Sequence, residues 1–374
     1  MMRRYDIDAL RVIVFVILIF YHVGMFFVPW DFHIKNSQVY EWMELPMIFI
    51  NRWRLPLLFV ISGMGTFFNI SKKNGAGFAK ERFLRLFIPL VFGILFIIPP
   101  QVYLERLDTG QFSGNYFAFW PSKAFIGAYP EGNFSWHHLW FLPYLFLFSI
   151  ILIPVFLYLR NHTQSWIIQK MKNLSTSRPG LFVLAIPLII WEIFLSPRFP
   201  STHGLFDDWY NIINYGTLFF YGFLLMTLKD ALWENVIKYR RFYLITGISA
   251  FASLLFMGLV LSDLPYIMIA LRFILAINEW AWILTLIGYA ATYLNKPSRV
   301  LSYANEAVYP FYILHQTVMM VFCYYLKNVE ICFFAKFFVI IIGTFGISWL
   351  IYEFGIRRYS WIRPLFGMKK KSLI

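Results

Sequence analysis

The chain has 374 residues, of which 60% are hydrophobic and only 14% are charged. Soluble domains have about 25% charged residues, whereas apolar runs of roughly 18 residues recur here from one end of the chain to the other. This composition excludes a soluble globular protein and predicts an all-α polytopic membrane protein. The net charge of +14 lies mainly between the apolar runs. It therefore indicates membrane topology, not nucleic-acid binding.

Ten transmembrane helices are predicted, in chain order, at residues 8–29, 44–70, 84–105, 137–159, 180–196, 209–228, 242–261, 266–294, 302–326 and 331–355. With a cytoplasmic N-terminus, the cytoplasmic segments hold far more of the 33 Lys and Arg residues than the outside loops. This asymmetry follows the positive-inside rule and predicts that both termini are cytoplasmic. We expect no cleavable signal peptide, because the first apolar stretch is too long and lacks a cleavage site. The whole chain, residues 1–374, is thus expected to form a single transmembrane domain in the lipid bilayer.

Two segments outside the predicted helices stand out. Residues 106–136, rich in aromatic residues, Gly and Pro, are expected to form an extracytoplasmic loop or cap, although a plain connector would fit the same composition. Residues 356–374 are expected to form a basic cytoplasmic tail. Cys323 and Cys332 flank a short outside turn, where both free thiols and a disulfide are compatible with the sequence.

The first predicted helix contains the stretch DIDALRVIVFVILIFYHVG, with Arg11 near its start and His22 deep inside. Eleven residues correspond to three helical turns plus about 20°, so both side chains share one face, about 16 Å apart along the axis. Ionisable residues at this depth are costly and usually belong to a functional site. His22 is therefore a candidate catalytic residue near the bilayer midplane. Arg11 lies near the cytoplasmic surface, where snorkelling is the alternative interpretation.

Other predicted helices carry polar groups to similar depth. Together with His22, we expect them to surround one cavity: His315, Tyr309 and Tyr312 on the ninth helix, and Glu279 on the eighth. Glu279 also shares a helix face with Arg272, seven residues before it, so a structural pairing of Glu279 with an arginine is the alternative.

Basic residues mark both edges of the predicted bundle. Arg52 and Arg54 lie towards the outer side of the second helix. Arg82 and Arg85, in the stretch KERFLRL, lie on one face at the cytoplasmic start of the third helix. Arginine side chains in this arrangement suit phosphate groups, although membrane topology alone also places basic residues there.

A series of short motifs resembles one family along nearly the whole chain. The motifs are IDALR followed after ten residues by His22, LFVISGMGTFF, RFLRLFIPL, HHLWFLPYLF, YPFYILHQTV and IYEFGIRR. In this order they resemble the integral-membrane acyltransferase-3 family. The stretches YHVGMFFVPWDFHIKN, RLPLLFVISG and WIRPLFGMKKK resemble in particular the branch of succinyltransferases that modify periplasmic glucans. One departure is Gln316, where that branch often has a second histidine. The acceptor contact of that branch is therefore not carried over to this position.

The resemblance implies a membrane O-acyltransferase of the bacterial cytoplasmic (inner) membrane. It would move an acyl group, succinyl or acetyl, from cytoplasmic acyl-CoA to a hydroxyl of an extracytoplasmic glycan such as a periplasmic glucan. Acyl-CoA is the donor substrate, and no permanently bound cofactor is expected. The sequence leaves open whether the protein is a monomer or a homodimer, and which acyl group it transfers.

Under this resemblance His22 is either the general base or the site of an acyl-histidine intermediate. Three groups of residues would assist it. Tyr312, His315 and Glu279 would polarise the thioester or orient the acceptor. Arg11, Arg82, Arg85 and Ser62 would bind the acyl-CoA. Arg52, Arg54 and Arg272 would meet a donor carboxylate, while His138, Trp140 and Tyr309 would contact the acceptor.

Two further expectations concern metal binding and an alternative function. His137 and His138 are adjacent, and no second ligand set has zinc spacing, so no metal site is predicted. A glycan or small-molecule transporter without acyl chemistry is the alternative function, because ten helices with buried charges also describe such proteins. Transporters, however, commonly show two related halves, and no internal repeat is visible in this sequence.

Overall fold

The computed structural model describes residues 3–261 and 267–370, which are mainly helical and include one isolated β-bridge between Ala128 and Phe134. The α-helices, in chain order, are α1 Tyr5–Met25, α2 Glu44–Ile70, α3 Gly75–Arg82, α4 Ile88–Phe92, α5 Pro99–Asp108, α6 Tyr116–Ser122, α7 Phe141–Ile151 and α8 Ile153–Asn161. They continue with α9 Trp166–Leu174, α10 Ala185–Phe194, α11 Trp209–Thr227, α12 Asp230–Val260, α13 Ile267–Tyr293, α14 Arg299–Leu326 and α15 Phe333–Leu350. The predicted all-α class is confirmed.

Within the described residues, seven helices are long and apolar enough to cross a membrane. An eighth span results if the pair formed by His137–Ile151 and Ile153–Asn161, bent by 53°, counts as one. The predicted spans at 180–196 and 209–228 correspond to the shorter helix Gly180–Phe194 and to α11, which are not among these. The count of ten therefore stays a prediction, as does the cytoplasmic position of both termini. Residue 266 of the eighth predicted span and residues 371–374 of the predicted tail lie outside the described residues.

The third predicted span is one apolar run, Gly75–Asp108, interrupted by two π-helical turns at Phe83–Phe87 and Gly93–Ile97. Prolines at 89 and 99 lack the backbone N–H that a regular helix would use, so the run changes its hydrogen-bond pattern around them. Arg85 lies in the first of these turns. A third π-helical turn, Ile351–Ile356, follows α15.

The chain divides into two compact units. Unit 1 comprises Met1–Val14, Phe49–Lys80 and Tyr144–Ser302, and unit 2 comprises Phe15–Ile48, Glu81–Pro143 and Tyr303–Ile374. Each unit is thus assembled from three separate stretches. The prediction of one transmembrane domain over residues 1–374 stays a prediction.

In unit 1, α12 packs along α13 and α10 packs on α13. Helices α2 and α11 approach each other closely at two glycines. A Cβ atom at Gly63 would lie 2.0 Å from the carbonyl oxygen of Phe219, and a Cβ atom at Gly222 would lie 2.0 Å from that of Val60. Small residues allow such backbone-to-backbone contact, which is how helices gain packing energy in lipid.

In unit 2, the segment predicted as a loop or cap contains α6, which packs on α5. The guanidinium of Arg106 ties this segment together. It donates to the side-chain oxygens of Asn133 (2.8 Å) and Gln111 (2.5 Å), and to the backbone carbonyls of Pro130 (2.6 Å) and Gly132 (2.7 Å). The segment is therefore fastened to the end of α5 by one buried cation. Its role as a cap stays a prediction.

The first part of the predicted basic tail packs within unit 2. Phe366 and Met368 are buried, and Arg363 donates to a carboxylate oxygen of Glu306 at 2.9 Å. Gly367 has φ +68°, and a Cβ atom there would lie 1.7 Å from the ring of Tyr309. Only glycine fits this turn. The cysteines of the same unit are both free thiols, Cys323 buried and Cys332 exposed.

Candidate active site

The centre of unit 2 is a pair of histidines from two helices. His22 on α1 and His315 on α14 lie with Nδ1 of His22 2.8 Å from Nε2 of His315. Their rings are nearly parallel, at 8°, with centroids 5.0 Å apart. His315 is fully buried. Two residues that lie 293 positions apart in the sequence thus form one hydrogen-bonded pair.

The surroundings of His315 fix where the protons are. Its Nδ1 lies 2.7 Å from the backbone carbonyl of Tyr312 and 3.2 Å from that of Phe311. Because carbonyl oxygens only accept, this nitrogen carries the proton and Nε2 of His315 accepts. Nδ1 of His22 must then be the donor across the 2.8 Å contact. The basic lone pair of His22 is consequently on Nε2.

His138 and Tyr312 complete the wall of this pair. The ring of His138 meets that of His315 edge to face, at 5.0 Å and 83°. Nε2 of His138 bonds the backbone carbonyl of Ile313 at 3.2 Å. The hydroxyl of Tyr312 donates to the backbone carbonyl of His138 at 2.6 Å. Tyr312 therefore positions His138, and its proton is already engaged and not directed at a substrate carbonyl.

Gln101 links the histidines and was missed in the sequence. This fully buried amide donates to Thr317 Oγ1 at 2.7 Å, and its oxygen accepts from Gln316 at 3.1 Å. It also contacts Nδ1 of His138 at 3.4 Å and Nδ1 of His137 at 3.2 Å. The available signal was an amide directly after two prolines in an apolar span, in the stretch FIIPPQVYL. At Gln316, where a second histidine was expected by resemblance, the side chain bonds Gln101.

Tyr309 on α14 contacts Arg85 in the π-helical turn Phe83–Phe87. Nε of Arg85 donates to the carbonyl of Gly367 at 3.1 Å, and its NH1 lies 3.5 Å from Glu81. The hydroxyl of Tyr309 donates to the carbonyl of Arg85 at 2.8 Å. Tyr309 is thus hydrogen-bonded to the π-helical turn that carries Arg85. The Arg85 side chain remains 44% exposed, so it can still meet an anion.

The remaining predicted residues of unit 2 have clear positions. Arg82 precedes the π-helical turn of Arg85. Trp140 is buried at the end of the short 3-10 helix His137–Trp140. The ring of Tyr309 lies 6.3 Å from that of Tyr312, so Tyr309, Tyr312, His315 and His22 follow one another inside this unit.

Glu279 belongs to unit 1, where it lies among polar groups of its own. Asn214 donates a side-chain hydrogen bond to it, and Arg52 is close enough to interact electrostatically. Its Oε1 atom is buried without a hydrogen-bond partner. Among the described residues no ion pair joins it to Arg272, and the predicted alternative of a structural pairing with an arginine stays open through Arg52.

Three other predicted site residues of unit 1 lie in helices α1 and α2. NH1 of Arg11 lies 3.4 Å from Asp8, and its NH2 lies over Gly65 of α2. Buried Arg54 donates to Asn51 at 3.1 Å. The carbonyl of Ser62 accepts the hydroxyl of Thr66.

The family comparison covers nearly the whole chain. Residues 4–353 match the model of a family described as "Acyltransferase domain", the acyltransferase-3 family. No solved structure matched the chain.

Curated relatives carry one recurrent name, "Glucans biosynthesis protein C". The protein of Salmonella schwarzengrund (strain CVM19633) is 25% identical over 238 residues, which are 60% of this chain and 57% of the relative. The protein of Escherichia coli (strain SMS-3-5 / SECEC) is 24% identical over 166 residues, 44% of this chain and 41% of the relative. The matched region therefore covers about half the length of these relatives. With the family model spanning almost all of its residues, the chain belongs to the acyltransferase-3 family.

Proposed function

We propose that the protein is an acyl-CoA-dependent O-acyltransferase of the bacterial inner membrane, acting on a hydroxyl of an extracytoplasmic glycan. The observation that carries the proposal is the His22–His315 pair, since its hydrogen bonds leave the basic lone pair of His22 on Nε2. A half-buried, oriented imidazole of this kind is suited to remove a proton from an alcohol. The family and the name of its relatives support acyl transfer and a glucan acceptor.

In the proposed reaction, Nε2 of His22 takes the proton of the acceptor hydroxyl. The oxygen attacks the thioester carbonyl, the C–S bond breaks, and the CoA thiolate leaves and takes up the proton from His22. His315 accepts the Nδ1 proton of His22 in a hydrogen bond that strengthens while His22 is an imidazolium. An acyl group carried transiently on His22 is the competing order of events, with the donor leaving before the acceptor arrives.

The donor is proposed to approach from the cytoplasmic side, where the basic residues concentrate. The proposal also places both termini on the cytoplasmic side and has the chain cross the membrane about ten times. In unit 2, Arg85 and Arg82 are proposed to contact the CoA phosphates. The roles of the unit 1 residues stay predictions from the sequence: Arg11 and Ser62 as acyl-CoA ligands, and Arg52, Arg54 or Arg272 as partners of the free carboxylate of a succinyl donor. A desolvated carboxylate needs such a partner.

The test uses the purified full-length protein with radiolabelled succinyl-CoA or acetyl-CoA and a linear β-glucan oligosaccharide. CoA release matched one to one by labelled glycan supports the proposal and identifies the acyl group. Uptake of the oligosaccharide into proteoliposomes without CoA release would instead support a transporter. Mass spectrometry of the product, before and after mild alkali, then identifies an O-ester on the sugar.

A further inference from the structure

A second cluster of ionisable side chains lies in unit 2, separate from the His22–His315 pair. It consists of His33, Glu105 and His137, which come from three different stretches of the chain. One ligand atom from each lies within 4.8 Å of the other two. These residues are 72 and 32 positions apart along the chain, so no zinc-type spacing marks them in the sequence, and their roles in the fold become visible only in three dimensions.

The contacts of Glu105 hold this cluster in place. Its Oε2 lies 2.7 Å from Nδ1 of His33, and its Oε1 accepts the hydroxyl of Tyr129 at 3.2 Å. Glu105 is only 7% exposed. Oε2 of Glu105 and Nδ1 of His33 thus share one proton. A metal ion that replaces this proton would take both atoms as ligands, since metal binding displaces protons from its ligands.

His137 supplies an independent observation. Its Nδ1 faces the amide oxygen of Gln101 at 3.2 Å, so this nitrogen carries the proton. Nε2 of His137 therefore presents a lone pair, and this atom is buried with no hydrogen-bond partner. A buried acceptor without a partner is uncommon and needs an explanation. A cation bound to it would provide one.

We propose that His33, Glu105 and His137 form a binding site for a divalent transition metal ion, with Zn²⁺ as the ion of choice. Two imidazole nitrogens and a carboxylate are a known zinc donor set, which leaves a fourth position for water or a substrate oxygen. The proposal does not depend on the proposed acyl transfer.

The charge around the site decides between classes of metal. Arg106 lies 3.7 Å from Oε1 of Glu105, although its guanidinium mainly bonds the neighbouring loop. The carboxylate and this arginine nearly cancel, so the site offers little net negative charge. Ca²⁺ and Mg²⁺, which bind through several oxygens, are therefore disfavoured, whereas Zn²⁺ gains its affinity from the imidazoles.

Binding also requires a small local rearrangement. The rings of His33 and His137 are stacked, with centroids 4.3 Å apart at 9°. Ligands of a tetrahedral zinc ion lie about 3.3 Å from one another, given bonds of about 2.0 Å. The rings must therefore tilt out of the stack so that both lone pairs meet one ion.

The experiment measures metal content in the full-length protein, purified without a polyhistidine tag, stripped with EDTA and equilibrated with Zn²⁺. We expect about one Zn²⁺ per wild-type chain and its loss in His33→Ala and His137→Ala. Glu105→Gln, which removes the carboxylate ligand, should also lower the Zn²⁺ content. His162→Ala, which removes an exposed histidine of unit 1, is the matched control and should keep the full content.

A second measurement guards against variants that misfold. Co²⁺ added to stripped wild-type protein should give the visible absorption of a tetrahedral site, and one equivalent of Zn²⁺ should abolish it. A wild-type protein that shows neither the Co²⁺ spectrum nor more Zn²⁺ than His33→Ala would overturn the proposal. So would equal Zn²⁺ content in the wild type, His33→Ala and His162→Ala.

Discussion

Removing His315 should slow acyl transfer without removing the base itself. Its Nε2 accepts the Nδ1 proton of His22 at 2.8 Å, which fixes the tautomer with the lone pair on Nε2 of His22. When His22 becomes an imidazolium, this bond is charge-assisted and contributes about 1.5–3 kcal/mol. Loss of that contribution in His315→Ala corresponds to roughly a 10- to 150-fold lower rate. His315→Gln, whose amide oxygen can still accept from His22, should recover part of it.

The assay is single-turnover transfer from labelled acyl-CoA to a glucan oligosaccharide, in detergent, with thermal unfolding monitored in parallel. The expected order of rates is wild type, then His315→Gln, then His315→Ala, with His162→Ala equal to the wild type. A His315→Ala protein that folds and transfers at the wild-type rate would refute the tautomer assignment. Equal rates for His315→Gln and His315→Ala would show that the hydrogen bond is not what matters.

Three further predictions test other parts of the structure. Arg85→Ala should raise the KM for acyl-CoA about 10-fold with a smaller change in kcat, because a charge-assisted contact to phosphate is lost. Steady-state kinetics with Arg85→Lys as control would measure this. An unchanged KM would contradict the assignment of Arg85 to the donor. Gly63→Ala places a Cβ atom 2.0 Å from the carbonyl oxygen of Phe219 and should lower the free energy of unfolding by about 1–3 kcal/mol, which a lower melting temperature would show. The control Gly258→Ala places its Cβ atom in open space and should not destabilise the fold. Burial lowers the pKa of Lys35 to about 8 from 10.5. Between these pH values the unfolded chain binds more protons than the folded protein, so the free energy of unfolding should rise with pH. A melting-temperature difference between the wild type and Lys35→Met that is constant from about pH 7 to about pH 10 would contradict this.

The sequence was most informative about elements and about ionisable residues at membrane depth. His22 and His315 could be chosen because a histidine inside an apolar run has few structural explanations. Their 2.8 Å contact could not be predicted, since period and spacing place residues on a helix face but do not pair faces of helices distant in the chain. Glu279 belongs to unit 1 and the two histidines to unit 2, so the expectation that Glu279 joins this group stays a prediction.

Residues with neutral polar side chains were the hardest to find. Gln101 bonds residues from two other stretches, yet an amide has no charge to make its burial conspicuous in a sequence.

His33 and Glu105 were missed for a different reason. They lie in segments that the sequence predicts as a loop and a helix end, where polar residues are ordinary. Among the described residues, seven helices, or eight with the bent pair, are long and apolar enough to span a membrane, so the predicted count of ten stays a prediction.

The most direct measurement of the central claim is transfer of labelled acyl groups by purified His22→Ala. If Nε2 of His22 removes the acceptor proton, this variant should insert and melt like the wild type and transfer about 10²- to 10⁴-fold more slowly. His162→Ala should transfer normally. Undiminished labelling of the glycan by folded His22→Ala would contradict the assignment of this imidazole as the base.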